Sequence, residues 1–539
     1  MCEVCAQFRP FDDTCAYKKV TIPGAEPGVS SLSAAMTKPT FTLDQIADQL
    51  TTGYWGGGQR SFDVSPGDTL TVELSGLTES AKILARAALQ SWSDVSGINF
   101  EEYGKPNLSS SFESGDAGDS QSTTASMEIN EVFRGNLNGT GGDTVDWVAV
   151  EFQAGNTYTI ALDGVTLSDP YLYLYNQFGQ RLTFNDDGGP GRNSQIVFTA
   201  SYTGTHYLGA SYWGAPSRES TGAYDLTVNS GQANSPDIFF DDNDSGAYAS
   251  SNISGGVIRS STVNVDDNWN GGNSAITSYT FQTYIHEIGH ALGLGHAGNY
   301  NGNATFGVDN HYANDSWQTT VMSYFDQREN SNVEASRAYT MTPMMADILA
   351  IQDLYGTDVE TRSGNTVYGA NSNVDGYLGD MFAWLAGEDP SSDLFRSNTP
   401  VAFTIYDTGG DDVIDLRSYS GDQRVDLTPE SYSDVFGLVG NMAIMRGTLI
   451  ERVRSGDGND QITGNTVANR LAGNGGNDDI DGRDGGDTIF GGSGNDTLTG
   501  GADNDLIYGG RDADEIFGVT GLDSIHGGKG DDLLSGGGA

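Results

Sequence analysis

The chain has 539 residues, with 26 Lys and Arg against 73 Asp and Glu and a formal net charge of −47. This excess of negative charge excludes nucleic-acid binding through a basic face, because the two surfaces would repel each other. The length predicts about three or four domains. The 74 glycines are about twice the usual share and require a glycine-rich segment.

The N-terminal sequence contains all of the cysteines, Cys2, Cys5 and Cys15, so the rest of the chain can form no disulfide. No window approaches the ~18 apolar residues of a membrane span. The start also lacks the basic-then-apolar pattern of a signal peptide. We therefore expect no membrane span, no signal-peptide export, and a body stabilised by packing or by metal.

Helix and strand signals alternate in residues 39–108 and 237–365. The segment from Thr78 to Ser96 repeats apolar residues at helical spacing, Gly97 is a typical helix end, and Ile98 to Phe100 predicts a strand. A second helix begins after Thr342-Pro343 and ends at Gly356. These signals predict one domain of mixed helices and strands that an insertion interrupts.

Residues 109–236 form the insertion and predict an all-β unit flanked by polar linkers, because short alternating apolar runs are separated by turn signals. Its motifs include Asp146-Trp147, PYLYLYNQFG, Asn185-Asp186-Asp187-Gly188 and Gly222-Ala223-Tyr224. They resemble the pre-peptidase C-terminal (PPC) domain of secreted bacterial peptidases. The resemblance implies a β-sandwich accessory module, and we interpret its aromatic residues as core rather than as a ligand-binding face.

Three of the six histidines fall within the segment HEIGHALGLGH, at His286, His290 and His296. On a helix, the first two lie one turn apart on one face, at a separation suited to zinc. Gly293 would end the helix, so that the chain turns and His296 supplies the third ligand. Three protein ligands leave one position open, as in catalytic zinc sites. The opposite helix face would be anchored by the apolar residues Phe281, Ile285, Ile288 and Leu292.

Glu287 follows the first histidine and cannot reach the same metal in that register, but it can face the water that zinc binds. We assign it as general base toward water and as proton donor to the leaving amine. Zinc lowers the pKa of bound water from 15.7 toward about 7. The expected reaction is peptide-bond hydrolysis, in which zinc and a neighbouring donor hold the oxyanion.

These residues match the metzincin signature H-E-x-x-H-x-x-G-x-x-H, and Met322 in VMSYFD matches its Met-turn. The run Met322-Ser323-Tyr324 resembles the serralysin branch of that family. The resemblance implies that Tyr324 is a fifth, releasable zinc ligand that helps to hold the oxyanion, and that Met322 is an apolar floor under the zinc. On the residues alone, Tyr324 could also be a packed aromatic.

Four further segments resemble serralysins in the same order, namely DQIADQLTTGYW, ARAALQSWSDVSGINF, MADILAIQDLYG and IYDTGGDDVIDL. This resemblance implies that residues 1–38 are a pro-segment, and that Gly246 to Ser250 form an edge strand against which an extended substrate pairs. The cysteines of the pro-segment could place a thiolate on the zinc and hold the enzyme latent, or they could be idle thiols of a terminus.

From Ser455 onward the sequence divides into consecutive nine-residue units. They follow the pattern G-G-x-G-x-D-x-U-x of a calcium-binding parallel β-roll, with an acidic residue at the sixth place and an aliphatic residue at the eighth. Exceptions are Asn469 in the sixth place, Asp503 and Asp512 in place of glycine, and Val519 in place of a turn glycine. The serralysin resemblance adds Asp412, so the predicted calcium ligands are Asp412, Asp460, Asp478, Asp487, Asp496, Asp505, Asp514, Asp523 and Asp532.

The predicted fold class is an α+β metzincin catalytic domain in residues 39–108 and 237–365. It is interrupted by the all-β sandwich of residues 109–236 and followed by an all-β parallel β-roll in residues 366–539. Because stacked aspartates repel one another without calcium, we expect the roll to fold where calcium is plentiful, outside the cell.

The predicted function is a secreted, monomeric, calcium-dependent zinc endopeptidase acting on proteins or peptides, with one catalytic Zn²⁺ and several structural Ca²⁺. The alternative is a calcium-dependent extracellular adhesion or matrix protein with an inert metzincin domain. Serralysins continue into a tail that type I secretion machinery recognises, whereas SGGGA ends this sequence within the roll. We expect the same machinery to export this protein, and the sequence leaves open whether its C-terminus is truncated.

Overall fold

The structure is a computed structural model whose described residues fall into two compact units. One unit holds Thr71–Glu73 and Glu101–Asp237, and the other holds the remaining described chain. The expectations for residues 1–37, including the three cysteines, lie outside the described residues. No helix in the described part is long and apolar enough to cross a bilayer. The described residues are 38–103, 110–112, 117–118, 120–129, 131–137, 144–189, 192–215, 221–230, 236–272, 275–388 and 394–538.

The chain first forms the elements that lie ahead of the insertion. They are α1 (Leu43–Asp48), a π-helical turn (Gln49–Gly53), β1 (Thr69–Gly76), α2 (Glu79–Ser96) and β2 (Asn99–Glu102). The helix predicted from Thr78 to Ser96 is confirmed, and Gly97 ends it with a φ of 70°. Only glycine adopts that left-handed backbone at no steric cost.

The inserted segment is all β among the described residues. Its strands are β3 (Ser110–Phe112), β4 (Val132–Leu137), β5 (Val145–Phe152), β6 (Thr157–Gly164), β7 (Pro170–Tyr175), β8 (Arg181–Asn185), β9 (Ser194–Thr199), β10 (Gly204–Tyr212) and β11 (Gly222–Ser230). They form one sheet in the order β5-β10-β7-β8 and a second in the order β3-β4-β11-β6-β9. Buried residues of both sheets share one hydrophobic core, which confirms the predicted all-β unit.

The interpretation of the aromatic residues of this unit as core is wrong for the run PYLYLY. Leu172 and Leu174 are fully buried, whereas Tyr171, Tyr173 and Tyr175 are only half-buried. Side chains alternate between the two faces of a strand, so the leucines fill the core and the tyrosines lie on the outer face. Elsewhere the interpretation is confirmed, because Tyr158 and Tyr224 are buried in the core cluster.

After the insertion the chain returns to the first sheet. The elements are β12 (Ile238–Asp241), β13 (Ala247–Ser254), β14 (Val257–Val265), a 3₁₀ turn (Trp269–Gly271), α3 (Tyr279–Ala291), β15 (Tyr339–Thr340) and α4 (Met345–Tyr355). The sheet order is β13-β14-β12-β1-β2, so β13 is an edge strand. The predicted second helix is confirmed as α4, and it ends at Gly356.

The helices α2 and α3 pack on each other in the core. The fully buried indole of Trp92 on α2 donates a hydrogen bond from Nε1 to the carbonyl of Ile285 on α3, at 2.9 Å. Burial of such a large aromatic side chain fixes α3 in position.

The C-terminal segment builds two parallel sheets. Its strands are β16 (Val367–Gly369), β17 (Val401–Ile405), β18 (Val413–Asp415), β19 (Arg424–Asp426), β20 (Tyr432–Ser433), β21 (Met442–Ile444), β22 (Arg452–Arg454), β23 (Gln461–Thr463), β24 (Arg470–Gly475), β25 (Asp479–Asp481), β26 (Thr488–Ser493), β27 (Thr497–Gly501), β28 (Leu506–Arg511), β29 (Glu515–Val519), β30 (Ser524–Lys529) and β31 (Leu533–Ser535). One sheet runs β16-β18-β22-β24-β26-β28-β30 and the other β19-β23-β25-β27-β29-β31. Successive nine-residue units alternate between these sheets, as a parallel β-roll requires.

The segment predicted as all-β roll also contains other structure. Helix α5 (Gly376–Leu385) lies within it, and β17, β20 and β21 join β15 in a separate four-stranded sheet. The all-β prediction for residues 366–539 is therefore wrong over α5. The apolar residues Tyr377, Leu378, Met381 and Phe382 are buried at helical spacing, a pattern typical of a helix.

Candidate functional site

Helix α3 carries the predicted metal ligands, and its two ends explain its position. At the start, the Ser278 hydroxyl accepts a hydrogen bond from the backbone N–H of Phe281 at 3.2 Å, a normal N-terminal cap. The predicted apolar face is confirmed, since Ile285 and Ile288 are fully buried. At the end, Gly293 has a φ of 112°, and a Cβ there would lie 1.9 Å from the carbonyl oxygen of Arg60. A larger residue could not make this turn.

The three predicted histidines converge. One ring nitrogen from each of His286, His290 and His296 lies within 4.8 Å of the others. The Nδ1 atoms are engaged elsewhere, with the carbonyl oxygens of Val321 and Leu294, each at 2.8 Å, and with the Tyr54 hydroxyl at 3.2 Å. Such contacts orient metal-ligating imidazoles and direct Nε2 toward the metal.

The donor set fits a zinc ion. The Nε2 atom of His286 is buried and has no hydrogen-bond partner among the described residues. Burial lowers the pKa of His286 to about 4 and, with a contribution from His286, the pKa of His290 to about 3. Burial also holds the pKa of His296 well below its usual value. Neutral imidazoles are the form that binds zinc.

Glu287 lies on the same helix and faces the neighbouring strand. Burial raises the pKa of its carboxyl to about 8, and a hydrogen bond from the backbone of Ala249 on β13 opposes that shift. Its Oε2 atom is buried and has no hydrogen-bond partner among the described residues. An oxygen of this kind is available to a water or a substrate proton.

Met322 packs beneath α3, as a floor under the histidines would. It is fully buried, and a Cβ at Gly289 on α3 would lie 2.8 Å from its Sδ. The preceding turn is held by the buried carboxylate of Asp347, which accepts hydrogen bonds from the backbone N–H groups of Val321 and Met344, each at 2.8 Å. Since the Val321 carbonyl contacts His286, Asp347 fixes the turn that orients this ligand.

Tyr324 lies beside the histidines. Its ring centroid is 4.5 Å from that of His296 and 4.6 Å from that of Tyr300. Tyr300 in turn donates from its hydroxyl to the buried carboxylate of Asp315, at 3.1 Å. The structure thus brings Tyr324 to the metal centre, and its role as a ligand stays a prediction.

A cleft of about 550 Å³ opens next to His290 and His296. One wall is β13, which contributes residues 248 to 253 and is an edge strand of its sheet. The edge strand predicted from Gly246 to Ser250 is confirmed from Ala247 onward, since β13 begins at Ala247 and Gly246 lies just before it. An edge strand offers unpaired backbone groups to an extended peptide.

The predicted calcium-binding aspartates form two ladders along the roll. From Asp478 onward, one carboxylate oxygen of each accepts the backbone N–H of the residue 18 positions earlier, as Asp496 does from Asp478 at 2.9 Å, whereas Asp460 and Asp412 accept from Gln423 and Thr366. For eight of the nine predicted aspartates, all except Asp532, the other oxygen is buried without a partner among the described residues. The space beside it is small: a Cβ at Gly473 would lie 2.1 Å from Oδ2 of Asp478. Unpaired carboxylate oxygens in such a cradle suit Ca²⁺.

Asn469 and the substituted glycine positions adopt the geometry of the repeat. Asn469 donates its backbone N–H to Asp487 and continues its ladder. Asp503, Asp512 and Val519 have φ values of 73°, 71° and 77°. Left-handed backbone is costly for a β-branched residue, so Val519 is a strained position of the roll.

Several residues around the site escaped the sequence analysis. Tyr54 contacts His296 across 242 positions of sequence, a separation that no spacing rule reveals. The sequence also showed no sign that Asp347 holds the turn before Met322. Nor did it indicate that Tyr300 contacts Tyr324 and donates a hydrogen bond to Asp315. Arg60 lines the cleft beside Trp55, and no motif includes it.

Fold and site together define a chain in which a three-histidine metal centre precedes an aspartate-rich parallel β-roll. Comparison with known families agrees. Residues 357–533 match the family described as Peptidase M10 serralysin C terminal, and residues 144–211 match the bacterial pre-peptidase C-terminal domain.

Individual relatives give the same result. The metalloprotease AprA of Pseudomonas entomophila is 41% identical over 200 residues, covering 36% of this chain and 38% of that protein. Serralysin of Photorhabdus luminescens is 40% identical over 200 residues, with coverage of 36% and 38%. Serralysin C of Dickeya chrysanthemi is 41% identical over 191 residues, with coverage of 35% and 37%.

Each of these matches spans less than two fifths of the relative's length. Among solved structures, the pre-peptidase C-terminal domain of a Bacillus anthracis collagenase aligns at 18% identity, covering 20% of this chain and 93% of that chain with a TM-score of 0.17; at that score the alignment carries no weight. The family matches show a serralysin-type C-terminal region in residues 357–533 and a PPC domain in residues 144–211.

Proposed function

We propose that this protein is a secreted, calcium-dependent zinc endopeptidase of the metzincin type, which hydrolyses peptide bonds of proteins. The observation that carries the proposal is the convergence of His286, His290 and His296, with their Nδ1 atoms engaged elsewhere. The relatives named metalloprotease and serralysin support the same activity. The resemblance to serralysins implies that type I machinery exports the chain.

The histidines would hold the zinc, with Tyr324 as a fifth, releasable ligand. When bound, zinc supplies Lewis acidity toward the carbonyl and lowers the pKa of water. The protein's own groups do the remaining work. The carbonyl contacts keep the imidazoles of His286 and His290 in the Nδ1–H tautomer, the Tyr54 hydroxyl orients His296, and the packing of Met322 under Gly289 keeps α3 in place.

Glu287 acts as the proton carrier. Its unpaired Oε2 accepts the proton of the attacking water and then donates it to the leaving amine. The Ala249 contact holds the carboxylate against β13, along which the substrate lies. Substrate backbone groups pair with the edge of β13 in extended form, so the scissile bond is presented to the histidines and to Glu287 together.

Casein hydrolysis by the full chain in calcium tests this proposal, with and without brief trypsin treatment to remove the predicted pro-segment. A zinc chelator should abolish hydrolysis, and added zinc should restore it. The Glu287→Ala variant should lose about 10²- to 10⁴-fold in rate while keeping its zinc. Hydrolysis that survives both treatments would refute the mechanism. A folded, zinc-loaded chain without hydrolysis would favour the adhesion-protein alternative.

A further inference from the structure

The cleft beside the histidines contains one charged side chain that the proposed mechanism does not use. Among the described residues that line it, Arg60 is the only Lys, Arg, Asp or Glu. The chain as a whole has a net charge of −47. Arg60 therefore places a positive charge where substrate would lie, in a chain whose net charge is strongly negative.

The backbone at Arg60 is fixed from two sides. The adjacent Ser61 donates its N–H to Gly256 at 3.2 Å and accepts the N–H of Ile258 at 2.7 Å, which ties the segment to the β13–β14 hairpin. On the other side, the Arg60 carbonyl packs against Gly293 at the end of α3. The residue thus lies between the edge strand and the zinc-site helix.

The side chain is oriented as well. Its guanidinium carbon lies 3.7 Å from the ring centroid of Trp55. The indole is itself fixed, because Nε1 donates to the Gly293 carbonyl at 2.8 Å. Stacking on an aromatic ring covers one face of a guanidinium and leaves its N–H edge free to bind.

No carboxylate satisfies that edge among the described residues, where Arg60 forms no ion pair. Guanidinium groups bind planar carboxylates through two parallel hydrogen bonds. An extended peptide paired with β13 directs alternate side chains to opposite faces, so one substrate position would meet Arg60.

We propose that Arg60 determines specificity by binding a carboxylate of the substrate, so that the enzyme favours acidic peptides at one position of the cleft. This inference rests on the proposed peptidase function. The carboxylate can come from an internal Asp or Glu or from a peptide C-terminus. Both sources offer the same planar anion, and the test separates them.

The experiment uses internally quenched peptides that share one core and carry Glu, Gln or Lys at one position at a time. A second set compares a free C-terminal carboxylate with its amide. For the wild type we expect kcat/KM to be about three- to tenfold higher for Glu than for Gln at one position, or for the acid than for the amide, since a half-exposed ion pair contributes modestly. High salt should reduce the preference.

Variants attribute the preference to Arg60. Arg60→Gln should abolish it, and Arg60→Glu should reverse it toward Lys. Arg60→Lys should keep part of the preference, because lysine keeps the positive charge but lacks the planar guanidinium that forms two parallel hydrogen bonds with a carboxylate. Arg259→Gln is the matched control: it removes one arginine charge from the hairpin to which the Arg60 segment is bonded, at an exposed position that does not line the cleft, so the preference should persist.

The ratio of two peptides within one variant cancels any general loss of activity. Equal rates for Glu and Gln at every position and for acid and amide ends, or a preference that persists in Arg60→Gln, would overturn the inference while leaving the peptidase function intact. Failure of the wild type to cleave any peptide would instead count against the proposed function, and the specificity inference would fall with it.

Discussion

The helix of the proposed zinc site and the β-roll both carry side chains that we propose as metal ligands, but they hold them in different ways. In α3 the ligands are oriented by neutral contacts and by a buried apolar face, with Ile285 and Ile288 fully buried. In the roll the aspartates from Asp478 onward are each held by the backbone of a unit 18 residues away, and like charges stack along the ladder. The proposed zinc site is therefore pre-formed by packing, whereas we expect the roll to need its ions in order to fold.

The largest effect is expected on zinc affinity when one of the three histidines is removed. His290→Ala removes one of three ligands and should lower zinc affinity at least about a thousandfold, while the helix and the roll stay folded. Tyr54→Phe removes only the hydroxyl that contacts His296 and should cost about tenfold to a hundredfold. Competition with a chromophoric zinc chelator measures both. Unfolding of the catalytic helices in His290→Ala would show that the site is not pre-formed.

Removal of calcium tests whether the roll needs its ions in order to fold. Chelation should unfold the roll first, because carboxylates that are neighbours in one ladder, such as Asp478 and Asp496, then repel each other. Helices α2, α3 and α4 should melt later. Circular dichroism with limited proteolysis during chelation would show loss of β signal and cleavage beyond residue 366. A protease-resistant roll in excess chelator would contradict the comparison.

Without calcium, the stability of the roll is expected to fall as pH rises. Burial, with smaller contributions from neighbouring aspartates, raises the pKa of Asp478 and Asp487 to about 7 and of Asp496 and Asp505 to about 6. Without calcium these groups stabilise the fold when protonated, at low pH, and that stability is lost as pH rises through 6 to 7.

Two measurements follow from this sign. In chelator, the melting temperature of the roll should fall between pH 5 and pH 8. In calcium, protons compete with the ion, so the midpoint calcium concentration should drop about tenfold over the same range. A roll whose stability in chelator rises with pH would show that the carboxylates are not buried as described.

A smaller effect tests packing at the zinc helix. Gly289→Ala would place a Cβ 2.8 Å from Met322 Sδ and 3.0 Å from Trp92 Cζ2, so we expect a loss of about 1–3 kcal/mol in stability. At an exposed helical position the same change stabilises by about 0.5–1 kcal/mol. Urea unfolding in zinc and calcium distinguishes the two signs, and a more stable variant would refute the close contact.

The smallest effect concerns the strained turn of the roll. Val519→Gly should relieve a φ of 77° and stabilise the roll by about 1 kcal/mol. Val467, which lies in the same roll outside the left-handed region, is the control, since Val467→Gly should destabilise it. Thermal melts in calcium measure both. Destabilisation of the roll by both substitutions to the same extent, or no change for Val519→Gly, would remove the argument for strain.

Most of the correct predictions from the sequence rest on local periodicity. The apolar spacing of α2, α3 and α4 and the nine-residue phase of the roll are short-range patterns, because helices and strands repeat within a few residues. The same is true of the histidine ligands, which lie on one helix and the turn after it. The helix α5 had such a pattern around Tyr377 and Met381, and only its glycine-rich surroundings masked it.

Long-range contacts could not be predicted in this way. Nothing in the spacing of Tyr54, Asp347 or Arg60 indicates that they meet the zinc helix, since such meetings depend on how distant elements pack. The outward tyrosines of PYLYLY were misassigned for a related reason. Alternation predicts two faces of a strand but does not say which face is the core when tyrosine and leucine compete for it.

The most direct test of the central claim joins metal content to chemistry in one pair of proteins. Zinc per chain, measured by elemental analysis, and casein hydrolysis are determined for the wild type and for Glu287→Gln, both folded in calcium. We expect one zinc ion per chain in each protein and casein hydrolysis by the wild type alone. Hydrolysis by Glu287→Gln at the wild-type rate, or a folded wild type that takes up no zinc, would contradict it.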